Sequence, residues 1–187
     1  MPDCIFVDCE TTGLDDVDND VIDIWAERRD HDTLELKKSG GGHVSITKEQ
    51  LVRLHKPSAP GKPSAADVNH YSDAAWADAQ PWPVRCAEFA GVFVPGETIL
   101  WIGSNPWFDV DMIRAMNWKY GTRSPRVRLI CRNTAEMAEK LKAQLGIKFF
   151  NLAALAKKFG LAPQDHTARG DVTTCVEVYR QLREMGR

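Results

Sequence analysis

At 187 residues, 43% hydrophobic and 27% charged, the chain has the make-up of an ordinary globular domain with enough length to bury a core. A net charge of −2 excludes a global basic field for polyanions, so any nucleic-acid site must be local, made from metals and a few Arg or Lys. The five cysteines are scattered, with no Cys-x-x-Cys pair, which fits reduced thiols rather than structural zinc.

Cys4-Ile5-Phe6-Val7 opens an apolar run that predicts a buried strand over about residues 3–10. Asp8 and Glu10 lie inside it. Alternate strand residues share a face, so both carboxylates project from the side that carries Phe6. Two such acids repel each other and lose hydration, and without a cation one is expected to stay protonated. A pair of divalent ions removes that problem and supplies chemistry. The alternative is a surface strand with two solvated acids, and 26 Asp and Glu in this length make an Asp-x-Glu by chance expected.

Thr11-Thr12-Gly13-Leu14 then turns the chain into an acidic loop with Asp15, Asp16, Asp18 and Asp20. Val21 to Arg28 alternates as a second strand. Residues 30–48 hold a Ser-Gly-Gly-Gly tract and read as a hairpin excursion or flexible insertion. Leu51 to His55 is expected as a short third strand, and Lys56 to Ala66 as an ordered loop rich in proline and small residues. A helix is expected over 84–93 and a strand over Thr98–Ile102, ending at Gly103. Helices follow at about 107–118, 134–145, 151–159 and 168–185, with a fifth strand near 127–131. Strands first, then strands alternating with helices, predict a three-layer α/β domain with a mixed five-stranded sheet flanked by helices. The whole chain, 1–187, reads as a single domain.

Two further acids sit where apolar residues belong. After Asn105, Pro106 fits a helical first turn, and Asp109 shares a stripe with Met112, Ile113 and Met116. Asp111 falls beside Arg114 and Ala115, on a solvated side. A helix cap is the alternative role for Asp109. In the last helix Asp171 aligns with Cys175, Val178 and Leu182, and a carboxylate starting a core stripe needs a partner. Thr167 is the cap there, which leaves His166 just outside the helix. A loop histidine alone is ordinarily solvated and idle. What weighs against that is the ensemble: four acids from one strand and two helices able to meet at one sheet edge.

These residues, in this order, resemble the DEDDh (DnaQ-like) 3′–5′ exonucleases of the ribonuclease H-like superfamily. Asp8-Cys9-Glu10-Thr11-Thr12-Gly13-Leu14 matches the first motif, Asn105-Pro106-Trp107-Phe108-Asp109 the second, and His166 with Asp171 the third. Pro63 to Asp73 resembles the loop before the family's sheet-covering helix. Ser104 stands where the family commonly has histidine before the asparagine, and the segment 30–48 is unusually long. Trp101 to Asn105 and Arg132-Asn133-Thr134 resemble a phage-type and mycobacterial branch, some of whose members act on RNA.

The resemblance implies a single exonuclease domain of ribonuclease H-like fold. It implies two Mg2+ or Mn2+ ions held by Asp8, Glu10, Asp109 and Asp171, and all-oxygen ligands suit those hard cations. His166 would take the proton from the attacking water, as imidazole does at neutral pH. The products would be nucleoside 5′-monophosphates. Thr11, Thr12, Gly13 and Leu14 would contact the terminal nucleotide, with Asn105 and His70 close by. Trp107 and His70 or Tyr71 would stack bases, core packing being the alternative for Trp107. Arg169 would meet phosphate or else be solvated. Trp25, Trp76, Trp82 and Trp118 are assigned to core or interface.

The expected substrates are single-stranded DNA or RNA 3′ ends, DNA ahead as in proofreading, with an exoribonuclease trimming RNA ends as the alternative. An inactive nucleic-acid-binding scaffold and a ribonuclease H-type endonuclease are the more distant readings. A polymerase or a second copy of the chain are further partner candidates. No stretch approaches the roughly 18 apolar residues of a membrane helix and no export leader is visible, so a cytoplasmic protein without membrane contact is expected.

Overall fold

The computed structural model describes residues 3–57 and 59–186. The elements run β1 (Cys4–Thr11), β2 (Val21–Arg29), β3 (Leu36–His43), α1 (Lys48–Leu54), α2 (Ala65–Val68), α3 (Trp82–Ala90), β4 (Thr98–Gly103), α4 (Pro106–Tyr120), β5 (Arg128–Asn133), α5 (Thr134–Lys140), α6 (Lys142–Leu145), α7 (Leu152–Lys158) and α8 (Ala168–Met185). The five strands form one sheet in the order β3-β2-β1-β4-β5. β1, β2 and β3 pair antiparallel, and β1, β4 and β5 pair parallel, so the sheet is mixed.

Side-chain alternation along β1 divides the core into two layers. Ile5, Val7 and Cys9 pack with Trp82 and Phe89 of α3 and with Met112, Ile113 and Met116 of α4. Cys4 and Phe6 face α5, α7 and α8, where Val172, Val176 and Tyr179 are buried. Phe6 meets Tyr179 edge-on, with ring centroids 5.5 Å apart. The expected three-layer arrangement is therefore the fold.

The strand expected at Leu51–His55 is instead helix α1, and the third strand is Leu36–His43. The reason is local. Thr47 accepts from the Gln50 backbone N–H at 3.2 Å, and the Gln50 side chain accepts from the Thr47 N–H at 2.6 Å, a complete capping box. The glycine tract also has a packing reason. A Cβ on Gly40 would lie 2.5 Å from the Glu88 carbonyl oxygen of α3, and one on Gly41 (φ 133°) would lie 2.0 Å from the Ile24 carbonyl oxygen. The glycines let α3 and β2 approach this strand closely. The single helix expected over 134–145 is split into α5 and α6 at Leu141. Among the described residues, no helix is long and apolar enough to cross a membrane.

Candidate active site

Asp8 and Glu10 continue the Cys4–Phe6 row to the end of β1, on the side covered by α8. Asp109 is buried in the first turn of α4, and its stripe neighbours Met112, Ile113 and Met116 are buried with it. Asp111 on the same helix is exposed and pairs with Arg114 at 3.3 Å. Asp171 is buried in the first turn of α8 together with Cys175, Val178 and Leu182. Thr167 caps that helix by accepting from the Gly170 N–H at 3.0 Å.

These acids meet at one place. Donor atoms of Glu10, His166 and Asp171 all lie within 4.8 Å of one another. Asp8 feels the charges of Asp109, Glu10 and Asp171. Asp109 is fixed by Cys9, whose backbone N–H and thiol both donate to its Oδ1, at 3.0 and 3.2 Å. Gln164 donates to Asp171 Oδ2 at 2.5 Å. Asp171 Oδ1 is buried and has no partner among the described residues.

Burial pushes Asp8 well above the usual carboxylate range, with Asp109 and Glu10 adding to the effect. Burial raises Glu10 to about 8, helped by Asp171 and Asp23. Burial raises Asp109 to about 7 against the two Cys9 hydrogen bonds, and Asp171 to about 6 against Gln164 and His166. None of the four is ion-paired with Lys or Arg among the described residues. An oxygen-rich, uncompensated cluster with an orphaned buried carboxylate oxygen fits a hard divalent cation.

His166 has a left-handed backbone (φ 51°), uncommon for a non-glycine residue. Asp165 on one side accepts from the Thr167 N–H (3.1 Å) and hydroxyl (2.9 Å). A Cβ on Gly170 would fall 2.0 Å from Asp165 Oδ1, so glycine there admits the clamp. On the other side, Asp23 Oδ2 accepts from the Ala168 N–H at 2.9 Å. Asp23 stands opposite Glu10 in the β1–β2 register and is buried. The loop with His70 docks through Asn69, which donates to the Thr11 carbonyl at 3.1 Å, and the His70 and His166 rings are 6.3 Å apart.

The remaining predicted residues divide. Thr11 and Thr12 are buried, and their hydroxyls are spent on the turn: Thr11 donates to the Gly13 carbonyl (2.5 Å) and Thr12 accepts from the Asp20 N–H (3.0 Å). Leu14 beyond them is 87% exposed. Asn105 is exposed at the start of α4, and its side chain makes no capping bond. Trp107 is half-exposed and lines a cavity beside Phe89, Phe93 and Trp101. Arg169 lies over the Trp25 ring, 5.1 Å from its centroid.

Sequence reasoning passed over Cys9, Asn69, Gln164 and Asp23. Only Asp23 carried a signal, an acid inside the apolar run Val21-Ile22-Asp23-Ile24, the same anomaly as Asp8.

The family model RNase_T, described as Exonuclease, matches residues 5–179. The chain belongs to this exonuclease family. No curated protein sequence matches it. Among solved structures, exonuclease I is similar at a TM-score of 0.74 and 18% identity, covering 98% of this chain and 41% of that one. E. coli exonuclease I in complex with a 5cy-dA13 oligonucleotide gives 0.72 and 17%, with 98% and 41% covered. Cell-death related nuclease 4 gives 0.67 and 13%, with 98% and 64% covered. This exonuclease-family chain thus shares the fold of both nucleases and spans about two fifths of the length of exonuclease I.

Proposed function

We propose that this chain is a metal-dependent 3′–5′ exonuclease of the DEDDh type. It would release nucleoside 5′-monophosphates one at a time from single strands, with DNA ahead of RNA. The observation that carries the reading is the buried set Asp8, Glu10, Asp109 and Asp171, without a protein cation and with Asp171 Oδ1 unpartnered. Those four residues would hold two magnesium or manganese ions. When bound, such ions neutralise the scissile phosphate and make water a nucleophile at neutral pH.

His166 does the proton work. Its imidazole accepts a proton from the attacking water; the hydroxyl adds to phosphorus and the bond to the preceding nucleotide's 3′ oxygen breaks. That oxygen leaves with a proton from solvent. The Asp165–Thr167 clamp and the Asp23–Ala168 bond hold the imidazole toward Glu10 and Asp171. The Thr11–Leu14 turn follows Glu10 directly, so a nucleotide seated on it has its phosphate beside the acids. Because the threonine hydroxyls are internally bonded, backbone groups and exposed Leu14 form the contact surface. A free 3′ hydroxyl is then what the turn and Glu10 detect. The dA13 complex of E. coli exonuclease I supports single-stranded DNA as the first substrate to try.

The test uses end-labelled single-stranded DNA and RNA of equal sequence, with magnesium or manganese, resolved nucleotide by nucleotide. A ladder shrinking from the 3′ end, blocked by a 3′-phosphate, is expected. Internal cuts in a circular single strand overturn the reading.

A further inference from the structure

Residues 112–135 carry Arg114, Lys119, Arg123, Arg126, Arg128 and Arg132 and no Asp or Glu, in a chain of net charge −2. The segment spans the rest of α4, the loop after it and β5. Arg123, Arg126 and Arg128 are exposed, and none pairs with a carboxylate among the described residues. Nearby acids are already taken: Glu97 by Arg28 at 2.7 Å, Glu88 by Arg85 at 2.8 Å, and Asp111 by Arg114 at 3.3 Å.

Aromatic surface accompanies the charge. Trp107, Asp111, Arg114 and Trp118 follow one another at steps of four, three and four along the outer face of α4. Trp107 is 52% exposed and Trp118 is 91% exposed, an unusual state for so large an apolar ring. Between this stripe and the arginine loop lies a cavity of about 260 Å³, lined by Phe89, Phe93, Trp101, Trp107, Pro125 and Leu129 among others. The loop is held in shape. Asn117 donates to the Ser124 hydroxyl at 2.6 Å, Trp82 donates to the Thr122 hydroxyl at 3.0 Å, and the Arg126 carbonyl accepts from the Gly96 N–H at 2.6 Å.

We infer that the outer face of α4 and the loop 121–128 form a second binding surface for single-stranded nucleic acid, a track for the strand upstream of the 3′ end. The inference rests on the exonuclease reading for where that strand comes from. α4 begins beside the carboxylates, since Asp109 is in its first turn. Trp107 and Trp118, eleven residues apart, are separated by about 16 Å along the axis at about 1.5 Å per residue. Bases stack on the two indoles, and phosphates meet the unpaired Arg123 and Arg126. Exposed aromatics interleaved with unpaired cations are the sequence-tolerant way of holding a single strand. The face matches a polyanion in charge: the acid on its stripe, Asp111, is already paired with Arg114.

The test is binding of fluorescent oligonucleotides whose 3′-terminal linkages are phosphorothioate, so that they are held rather than consumed. A dodecamer and a trinucleotide are titrated by anisotropy over a range of salt. Trp118→Ala is expected to weaken dodecamer binding about tenfold and leave the trinucleotide unchanged. Arg123→Ala with Arg126→Ala is expected to reduce the steepness of the log affinity against log salt line by about 1.4, at roughly 0.7 per lost phosphate contact. Trp118, Arg123 and Arg126 are all exposed, so the variants keep the fold. Equal dodecamer affinity and salt slope in wild type and variants overturn the inference, as does an equal loss for both lengths. Length-dependent binding together with no nucleotide release from the unmodified dodecamer upholds the track while the exonuclease reading falls.

Discussion

Asp20 and Asp171 are both buried carboxylates, and the chain treats them in opposite ways. Asp20, with no exposed surface, is met by Lys119 at one oxygen and by Arg53, 3.3 Å from the other. Asp171 and its neighbours Asp8, Glu10 and Asp109 gather without one Lys or Arg partner among the described residues, and one Asp171 oxygen bonds to nothing. A buried charge with cations beside it is a structural device; a group of buried charges without them is strained until a cation arrives from outside. On the proposed function, the contrast separates an acid kept for folding from acids kept for chemistry.

The sharpest way to break that contrast is to remove one acid from each region. Asp8→Ala or Asp171→Ala is expected to lower nucleotide release by about 10³-fold or more, because several kcal/mol of charge stabilisation is lost at the phosphate. The metal-free variants should melt at or above the wild-type temperature, since repulsion is relieved. Asp20→Ala should do the reverse. It should retain activity and lose about 1–2 kcal/mol of stability, as the half-exposed Lys119 and Arg53 can rehydrate. Comparable activity loss in Asp20→Ala and Asp171→Ala would erase the distinction.

His166 tests whether the cluster needs more than metal. His166→Ala is expected to reduce the single-turnover rate by about 10²–10³-fold with nearly unchanged manganese affinity by calorimetry. A variant that keeps the wild-type rate returns His166 to the idle loop histidines.

Titration of the metal-free protein sharpens the comparison further. Glu10 at about 8, Asp109 at about 7 and Asp171 at about 6 are all raised by burial. A carboxylate raised in the folded state binds more protons there than in the unfolded chain. Its stabilising contribution is full below the ordinary value near 4 and is lost as pH rises through the folded values. The melting temperature of the metal-free protein is therefore expected to fall by roughly 5 °C or more from pH 5 to pH 8.5. Magnesium or manganese should flatten that fall, and Asp109→Asn should reduce it. A metal-free protein whose stability rises over that range contradicts the uncompensated cluster.

Much of this was legible before the structure. The period-two pattern set Asp8 and Glu10 on the Phe6 face, and the period-3.6 pattern separated buried Asp109 from exposed Asp111. The Thr167 cap also fixed where His166 leaves the helix. Two kinds of fact stayed hidden. At Leu51–His55 the apolar run suggests a strand, and the Thr47–Gln50 capping box that starts a helix there went unread. The glycine tract looked like a linker because the carbonyls of Glu88 and Ile24 that demand glycine come from distant segments. Cys9 was hidden differently. It faces the opposite core layer from Glu10, and only the packing of α4 brings Asp109 to its N–H and thiol.

Asp23 provides the finest test, because it fixes the segment that carries His166, the proposed base. Its Oδ2 accepts the Ala168 N–H, two residues after His166, and that donor is buried at the first turn of α8. Asp23→Ala leaves the N–H unpaired, and His166, already in a left-handed conformation, loses one of its two anchors. A small displacement of a reacting group is costly, so kcat is expected to fall about tenfold with KM nearly unchanged. Asp23→Asn keeps an oxygen acceptor at the same point and should recover activity to within about threefold of wild type, since the hydrogen bond rather than the charge does the positioning. If Asn is as damaged as Ala, the charge of Asp23 beside Glu10 matters in its own right, and Asp23 joins the acids of the site instead of the scaffold that holds His166.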